Sequence, residues 1–314
     1  MRTLAISAIF LLYVEMINPQ ASPKLADVVD SVRPSVVQIA VHLLPSPEHP
    51  RPTPPAELAG CFHDSESCIV GTGFFVNSSG DVITAFHVVD GYRGSDGFDH
   101  LGIKQIIEIL ERQRINSEVV IGVSMPHVDN GRLVFAAGTQ YGSALVGPTD
   151  PAHDLALVKA GSWPFANMPH SYPSSLQATA KAASLSLTRP RDAEDIFACG
   201  YAFGELALTT TSGTIASAWN SRPLLRAAAA GFQDPVEVYN VDLRINPGNS
   251  GGPVFRLSDR AVIGVAVEGL GTLGIVVPAR FVTAFLTSHG VSWTPASADA
   301  APPLNPKKKP RKKD

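Results

Sequence analysis

The stretch Asn246-Pro247-Gly248-Asn249-Ser250-Gly251-Gly252-Pro253 lies between two apolar runs, Val236 to Ile245 and Val262 to Val267, whose length and β-branched content predict strands. Gly248, Gly251 and Gly252 crowd around the serine. They predict a bend that exposes the Ser250 hydroxyl and lets a carbonyl group come close to main-chain amides. Within the loop Gly248-Asn249-Ser250, the amides of Gly248 and Ser250 are candidates for an oxyanion hole, which must face the spot where negative charge develops in acyl transfer. A Gly-x-Ser-x-Gly pattern alone equally describes an ordinary Gly-rich turn. It also occurs in a strand-to-helix elbow whose partners follow in the order serine, acid, histidine. Here the chain after Pro253 reads as strand and only His289 lies downstream. The partners of Ser250 are therefore sought upstream.

The chain has 314 residues, 45% hydrophobic and 17% charged, enough for one large core or two modest ones, and it is neither disordered nor fibrous. Lys307, Lys308, Lys309, Arg311, Lys312 and Lys313 stand against Asp314 at the chain end, so a formal net charge of −3 conceals an acidic body and a basic tail. That tail reads as a solvated, low-complexity segment, and no nucleic-acid partner is expected. Three cysteines exclude a disulfide scaffold. Cys61-x-His63 with Cys68 lacks a fourth metal ligand, which leaves a local disulfide or two free thiols; no metal or organic cofactor is expected. Cys199, inside an apolar run, reads as core. The run Leu4 to Val14 is too short to span a membrane and fits a signal-peptide core, with cleavage after Ala21, although Glu15 and Pro19 run against it. A periplasmic or secreted location follows if that reading holds, and a cytoplasmic one otherwise.

Along the chain, Leu25 to Val32 has helical spacing and Val36 to Val41 reads as a strand. Leu44 to Pro55 carries six prolines and predicts an extended surface loop. Gly73 to Asn77 and Val82 to Phe86 predict a hairpin ending at His87. Ile103 to Arg114 predicts an inserted surface helix, with Ile103, Ile106, Ile107 and Leu110 on one face. Strands follow at Glu118 to Ser124 and Leu133 to Gln140; a turn at Thr149 to His153 leads into the apolar run opened by Asp154, a carboxylate that needs a partner if the run is buried. Ser162 to Gln177, rich in proline and serine, separates two halves. Short apolar segments then recur at Ala183 to Leu187, Ile196 to Tyr201, Thr209 to Ser217, Val236 to Ile245, Ala261 to Val267 and Gly274 to Val277, before a helix over Arg280 to His289. Many short strands with turn signals indicate an all-β barrel or sandwich.

Three chemistry-bearing residues thus fall in the order His87, Asp154, Ser250. A hydroxyl nucleophile, an imidazole that takes and returns its proton, and a buried carboxylate that fixes the imidazole tautomer are what a catalytic triad needs. Together with Gly71-Thr72-Gly73-Phe74-Phe75-Val76, Thr84-Ala85-Phe86-His87-Val88-Val89, Asp154-Leu155-Ala156-Leu157-Val158-Lys159 and Thr211-Ser212-Gly213-Thr214-Ile215, the Ser250 stretch resembles chymotrypsin-fold serine peptidases, in particular the HtrA/Deg type of trypsin-like protease without a PDZ domain. The resemblance implies two six-stranded antiparallel β-barrels with the triad in the cleft between them: residues 22–165 forming the first barrel, 166–295 the second, 1–21 a signal peptide or N-terminal extension, and 296–314 a disordered basic tail. It implies a serine endopeptidase acting on proteins or peptides through an acyl-enzyme; the alternative is a catalytically silent scaffold that binds protein partners. It places Arg244, six residues before the serine, at the base of the specificity pocket, selecting acidic side chains unless Glu268 neutralises it. Asn249 stands where digestive members carry an aspartate that pairs with a newly cut amino terminus, so activation by that cleavage is not expected.

Overall fold

The computed structural model describes residues 24–44, 53–62, 67–93, 99–114, 118–129, 132–135, 144–160, 180–204 and 207–297. The expected signal segment, the proline loop beyond Leu44, most of the inter-barrel connection and the basic tail fall outside them. Helix α1 (Leu25–Val32) buries Val28, Val29 and Val32 along one face. It delivers the chain into β1 (Val36–Leu44), buried almost throughout because it is flanked by β2 (Ser67–Phe75) on one side and by β4 (Glu118–Ser124) on the other. With β3 (Asp81–Thr84), β5 (Leu145–Asp150) and β6 (Leu155–Lys159), these strands form a six-stranded sheet in the order β4-β1-β2-β3-β6-β5. The amide of Ala144, just before β5, donates to Ile121 O of β4 at 3.0 Å, which draws the two ends of the sheet together. Helix α2 (Phe86–Asp90) follows β3, and α3 (Ile103–Arg112) sits outside the sheet with Ile103, Ile106 and Leu110 buried.

The second sheet holds β7 (Ser184–Leu185), β8 (Asp195–Gly200), β9 (Thr209–Arg222), β10 (Val236–Asp242), β11 (Pro253–Arg256), β12 (Val262–Leu270), β13 (Leu273–Pro278) and β14 (Thr294–Pro295), with α4 (Leu225–Ala229) between β9 and β10 and α5 (Ala279–Ser288) after β13. Six of these strands close on themselves as β11-β8-β9-β10-β13-β12, since β11 and β12 also pair, while the two-residue β7 and β14 are added at one side. The chain is therefore an all-β protein of two antiparallel barrel-like sheets with few helices. Alternation along the strands divides their side chains: Ile196, Ala198 and Val254 enter a smaller apolar cluster, while Phe197, Cys199 and Phe255 join a larger one that continues into the first sheet through Phe74 and Leu157. Ala183 N donates to Phe75 O at 2.8 Å, and His153 stacks on Phe281 of α5 at 4.3 Å, so the sheets meet through both main chain and rings.

Two differences from the sequence expectation have physical reasons. Leu145–Asp150 is a strand where only a turn was expected, because Gly147 and Pro148 disguise it; Pro is tolerated there since β5 is an edge. β9 runs to Arg222 rather than Ser217: Asn220 and Arg222 stand half-buried while Trp219 and Ser221 are exposed, an alternation with polar residues on its inner side. Helix α4 was not anticipated at all. Among the described residues no helix is long and apolar enough to cross a membrane. Cys61 and Cys68 are joined in a disulfide, and Cys199 is buried.

Candidate active site

Asp154 follows a one-turn 3-10 helix, Pro151–His153, and adopts left-handed backbone angles (φ 53°, ψ 46°), which an aspartate tolerates better than most residues. That twist turns its fully buried carboxylate back towards α2. There the main-chain amide of His87 donates to Oδ1 at 3.0 Å, and His87 Nδ1 lies 2.8 Å from Oδ2. Phe86 N donates to Asp154 O at 3.1 Å, so the two residues are tied by backbone as well as side chain. The buried carboxylate fixes Nδ1 as the protonated ring nitrogen and leaves the lone pair on Nε2, an assignment that follows from the partners.

Ser250 comes from the other sheet. Gly248 (φ 91°) and Gly251 (φ 83°) take the left-handed region on either side of it. Neither position has room for a side chain: a Cβ would lie 2.3 Å from Tyr201 O at Gly248, and 2.4 Å from Thr72 O at Gly251. The turn is fixed by Asn249 N to Asn246 O (3.0 Å), Gly251 N to Ala266 O (2.8 Å) and Phe203 N to Pro247 O (2.6 Å). Among the described residues, no main-chain carbonyl accepts from the amides of Gly248 or Ser250. Asn249 is different: its amide is spent on Asn246, and its side chain is buried against Gly200. It shapes the loop and offers no main-chain donor.

Thr72 of β2 joins the halves. Its amide donates to Ser250 O at 3.0 Å, its hydroxyl donates to Gly248 O at 2.6 Å, and the same hydroxyl accepts from Tyr201 N at 2.9 Å. Sequence reading noted Thr72 only as part of Gly71-Thr72-Gly73. Its partners are far away in the chain, and only the close approach of two glycine-lined segments hinted at them.

Arg226 of α4 was missed as well. One guanidinium nitrogen, Nη1, contacts His87 Nε2, donates to Ser250 Oγ at 3.1 Å and donates to Val267 O at 2.7 Å. His87, Asp154 and Ser250 are thus gathered in one place, with side-chain exposures of 6%, 0% and 6%. Helix α4 lies over them, touching Pro151–His153 and the short strand Tyr92–Arg93, which pairs only with Asp99–His100 among the described residues. Glu268, 3% exposed, accepts from Leu225 N at 2.5 Å, the first amide of α4. Burial pushes its carboxyl above the usual range, against the opposing pull of that hydrogen bond and of Arg222 and Arg226. Among the described residues Glu268 forms no ion pair with Arg244, so the neutralisation that would cancel a preference for acidic side chains is not seen. After β10 the alternation turns Leu243 and Ile245 inward and leaves Arg244 exposed, while Glu268 is engaged by α4. His289 is exposed at the end of α5, edge-on to Phe285. The strand after Ser250 likewise does not fit the serine, acid, histidine order.

A family model described as the trypsin-like peptidase domain matches residues 71–265. "Protease Do-like 2, chloroplastic" of Arabidopsis thaliana is 33% identical over 105 residues, a stretch that is 32% of this chain and 16% of that protein. Among solved structures, the Rv3671c protease of M. tuberculosis in its active form is similar at 22% identity with a TM-score of 0.49, covering 87% of this chain and 90% of the other. Deg5 is similar at 19% identity and a TM-score of 0.49, covering 85% and 95%.

Proposed function

We propose, from the premise that this chain belongs to the trypsin-like peptidase family, that it is a serine endopeptidase cleaving proteins or peptides through an acyl-enzyme. The observation that carries this is the buried Asp154 carboxylate, which receives both the amide and Nδ1 of His87, while the Arg226 nitrogen in contact with His87 Nε2 also reaches Ser250 Oγ at 3.1 Å. In this reading His87 Nε2 takes the Ser250 proton as Oγ attacks the scissile carbonyl. Asp154 stabilises the resulting imidazolium. The carbonyl oxygen moves into the space before the Gly248 and Ser250 amides, where removing one donor typically costs about 2.7–4 kcal/mol of barrier. His87 then returns the proton to the leaving amine, and water, activated by the same imidazole, releases the acyl group. The Cys61–Cys68 disulfide supports an oxidising compartment, periplasmic or secreted.

One contact favours the alternative, a catalytically silent trypsin-like scaffold: the Arg226 guanidinium rests on both reactive atoms. A fluorophosphonate probe, applied to the wild-type chain, Arg226→Ala, and both with Ser250→Ala, separates the two. Labelling in the first pair that vanishes with Ser250→Ala is expected. Absence of Ser250-dependent label in either background would leave the scaffold.

A further inference from the structure

We infer that α4 is an internal plug: Arg226 holds the catalytic centre closed by occupying the positions of both the proton acceptor and the nucleophile, and it must leave before a substrate can be cleaved. The inference rests on the peptidase reading above. Arg226 Nη1 is pressed against the imidazole, in contact with both Nε2 and Nδ1, so a cation occupies the space through which Nε2 must receive the serine proton. The same nitrogen donates to Ser250 Oγ at 3.1 Å, tying up hydroxyl electron density needed for attack. A cation at hydrogen-bond distance also opposes formation of an imidazolium. The position is therefore incompatible with a catalytic role for Arg226.

The plug is seated, not merely adjacent. Leu224 and Ala227 are each 1% exposed, on the side of α4 turned into the protein. Val267 O accepts from Arg226 at 2.7 Å, and Glu268 holds the first amide of the helix at 2.5 Å. Glu268 Oε2 is buried without a hydrogen-bond partner among the described residues. Consecutive residues at the cleft end of β12 thus hold the side chain and the start of one short helix. Release of α4 rehydrates that carboxylate, so the latch carries a desolvation cost that works against it. The turn bearing Ser250 shares none of these contacts except through Arg226, so the plug can withdraw without disturbing the oxyanion amides.

The test compares second-order rates of fluorophosphonate labelling for the wild-type chain and for Arg226→Ala and Arg226→Gln, with hydrogen exchange over Leu225–Ala229 before and after labelling of the wild type. Removing the plug is expected to speed labelling roughly 10- to 100-fold, the reciprocal of the open fraction of a site closed by charge-assisted hydrogen bonds. Labelled wild-type protein is expected to exchange faster over α4, because the phosphonyl group takes the place of the guanidinium. Equal labelling rates together with unchanged exchange would overturn the plug and leave the peptidase reading intact. No Ser250-dependent label in any of the proteins would overturn both. If either variant fails to fold, the exchange measurement on the wild type alone decides: protection retained over α4 after labelling counts against the plug, and protection lost counts for it.

Discussion

Two segments of the second barrel reach the same reactive atoms, and they are held in opposite ways. The turn around Ser250 is fixed by main chain on every side: it bonds to itself at Asn246, to Ala266 of β12, to Phe203, and to Thr72 of the other barrel. Its two left-handed glycines lie so close to neighbouring main chain that a methyl group has no space. Helix α4 has five residues, exposes Leu225, and depends on two buried side chains and the acceptors at Val267 and Glu268. A helix that short does not persist without its surroundings. In the proposed reading the arrangement that would make and break bonds is thereby held by main chain, whereas the helix over it is held by few contacts. A site with this division can change activity without rebuilding its chemistry.

The strongest way to break the contrast is to loosen the rigid member. In Gly251→Ala the new Cβ would lie 2.2 Å from Thr84 Oγ1, 2.4 Å from Thr72 O and 2.6 Å from Ala85 N, at a φ of 83°. A left-handed non-glycine residue costs about 1–2 kcal/mol and overpacking about 1–3 kcal/mol, so a loss of about 2–5 kcal/mol in denaturant unfolding is expected. Fluorophosphonate labelling should disappear even in the Arg226→Ala background. Retention of normal labelling there would show that the turn is as adjustable as the helix.

Thr72→Val asks the same question more gently. The hydroxyl satisfies Gly248 O and Tyr201 N across the barrel interface, and valine leaves the buried Tyr201 N without that partner, at about 1–3 kcal/mol, and the half-buried Gly248 O at a smaller cost. Thr72 acts through the oxyanion turn. In a peptide assay its loss should therefore lower kcat about 10-fold or more with little change in KM, and Thr72→Ser should restore most of the rate. A general loss of stability with unchanged kcat would reduce Thr72 to a structural link.

The contrast also explains what was readable from residues alone. His87 and Ser250 follow apolar runs and Asp154 opens one, and each is announced by neighbours within a few positions, so local pattern sufficed to single them out as candidates. The strands were legible where burial imposes alternation, and lost where Gly147 and Pro148 hid an edge. Arg226 had no such announcement. Leu224-Leu225-Arg226-Ala227-Ala228 reads as an ordinary helical fragment, and its place over the cleft is set by where β9, longer than its apolar pattern implied, releases the chain. Thr72 depends on a partner 176 residues away, a distance that no local spacing reports. The assignment of Arg244 to the pocket relied on its offset from the serine. In the fold Leu243-Arg244-Ile245 run buried-exposed-buried, a burial pattern that the offset does not report.

The smallest expected effect concerns the latch. Burial raises the Glu268 carboxyl above its ordinary 4.5, and the groups facing it are the Leu225 amide, Arg222 on β9, Arg226 on α4 and Asp154 from the first barrel. A group whose value is raised by folding contributes stability that is complete below its unfolded value and is lost as pH rises through its folded one. Glu268→Gln keeps a carbonyl for Leu225 N but removes the titration. Relative to this variant, the wild-type Tm should therefore fall as pH increases from about 4.5 upward, by no more than a few degrees, and then level off. The plug adds a second expectation, because the helix is held more loosely than the turn. Above that interval, where the charged carboxylate favours rehydration, the ratio of wild-type to Glu268→Gln labelling rates should rise in step with the fall in Tm. A Tm difference that does not vary with pH would mean that Glu268 is already solvated in the folded chain and that α4 does not bury it. A Tm difference of the expected sign with a flat labelling ratio would separate the carboxylate from the gate, and assign the closed position of α4 to Leu224, Ala227 and Arg226 alone.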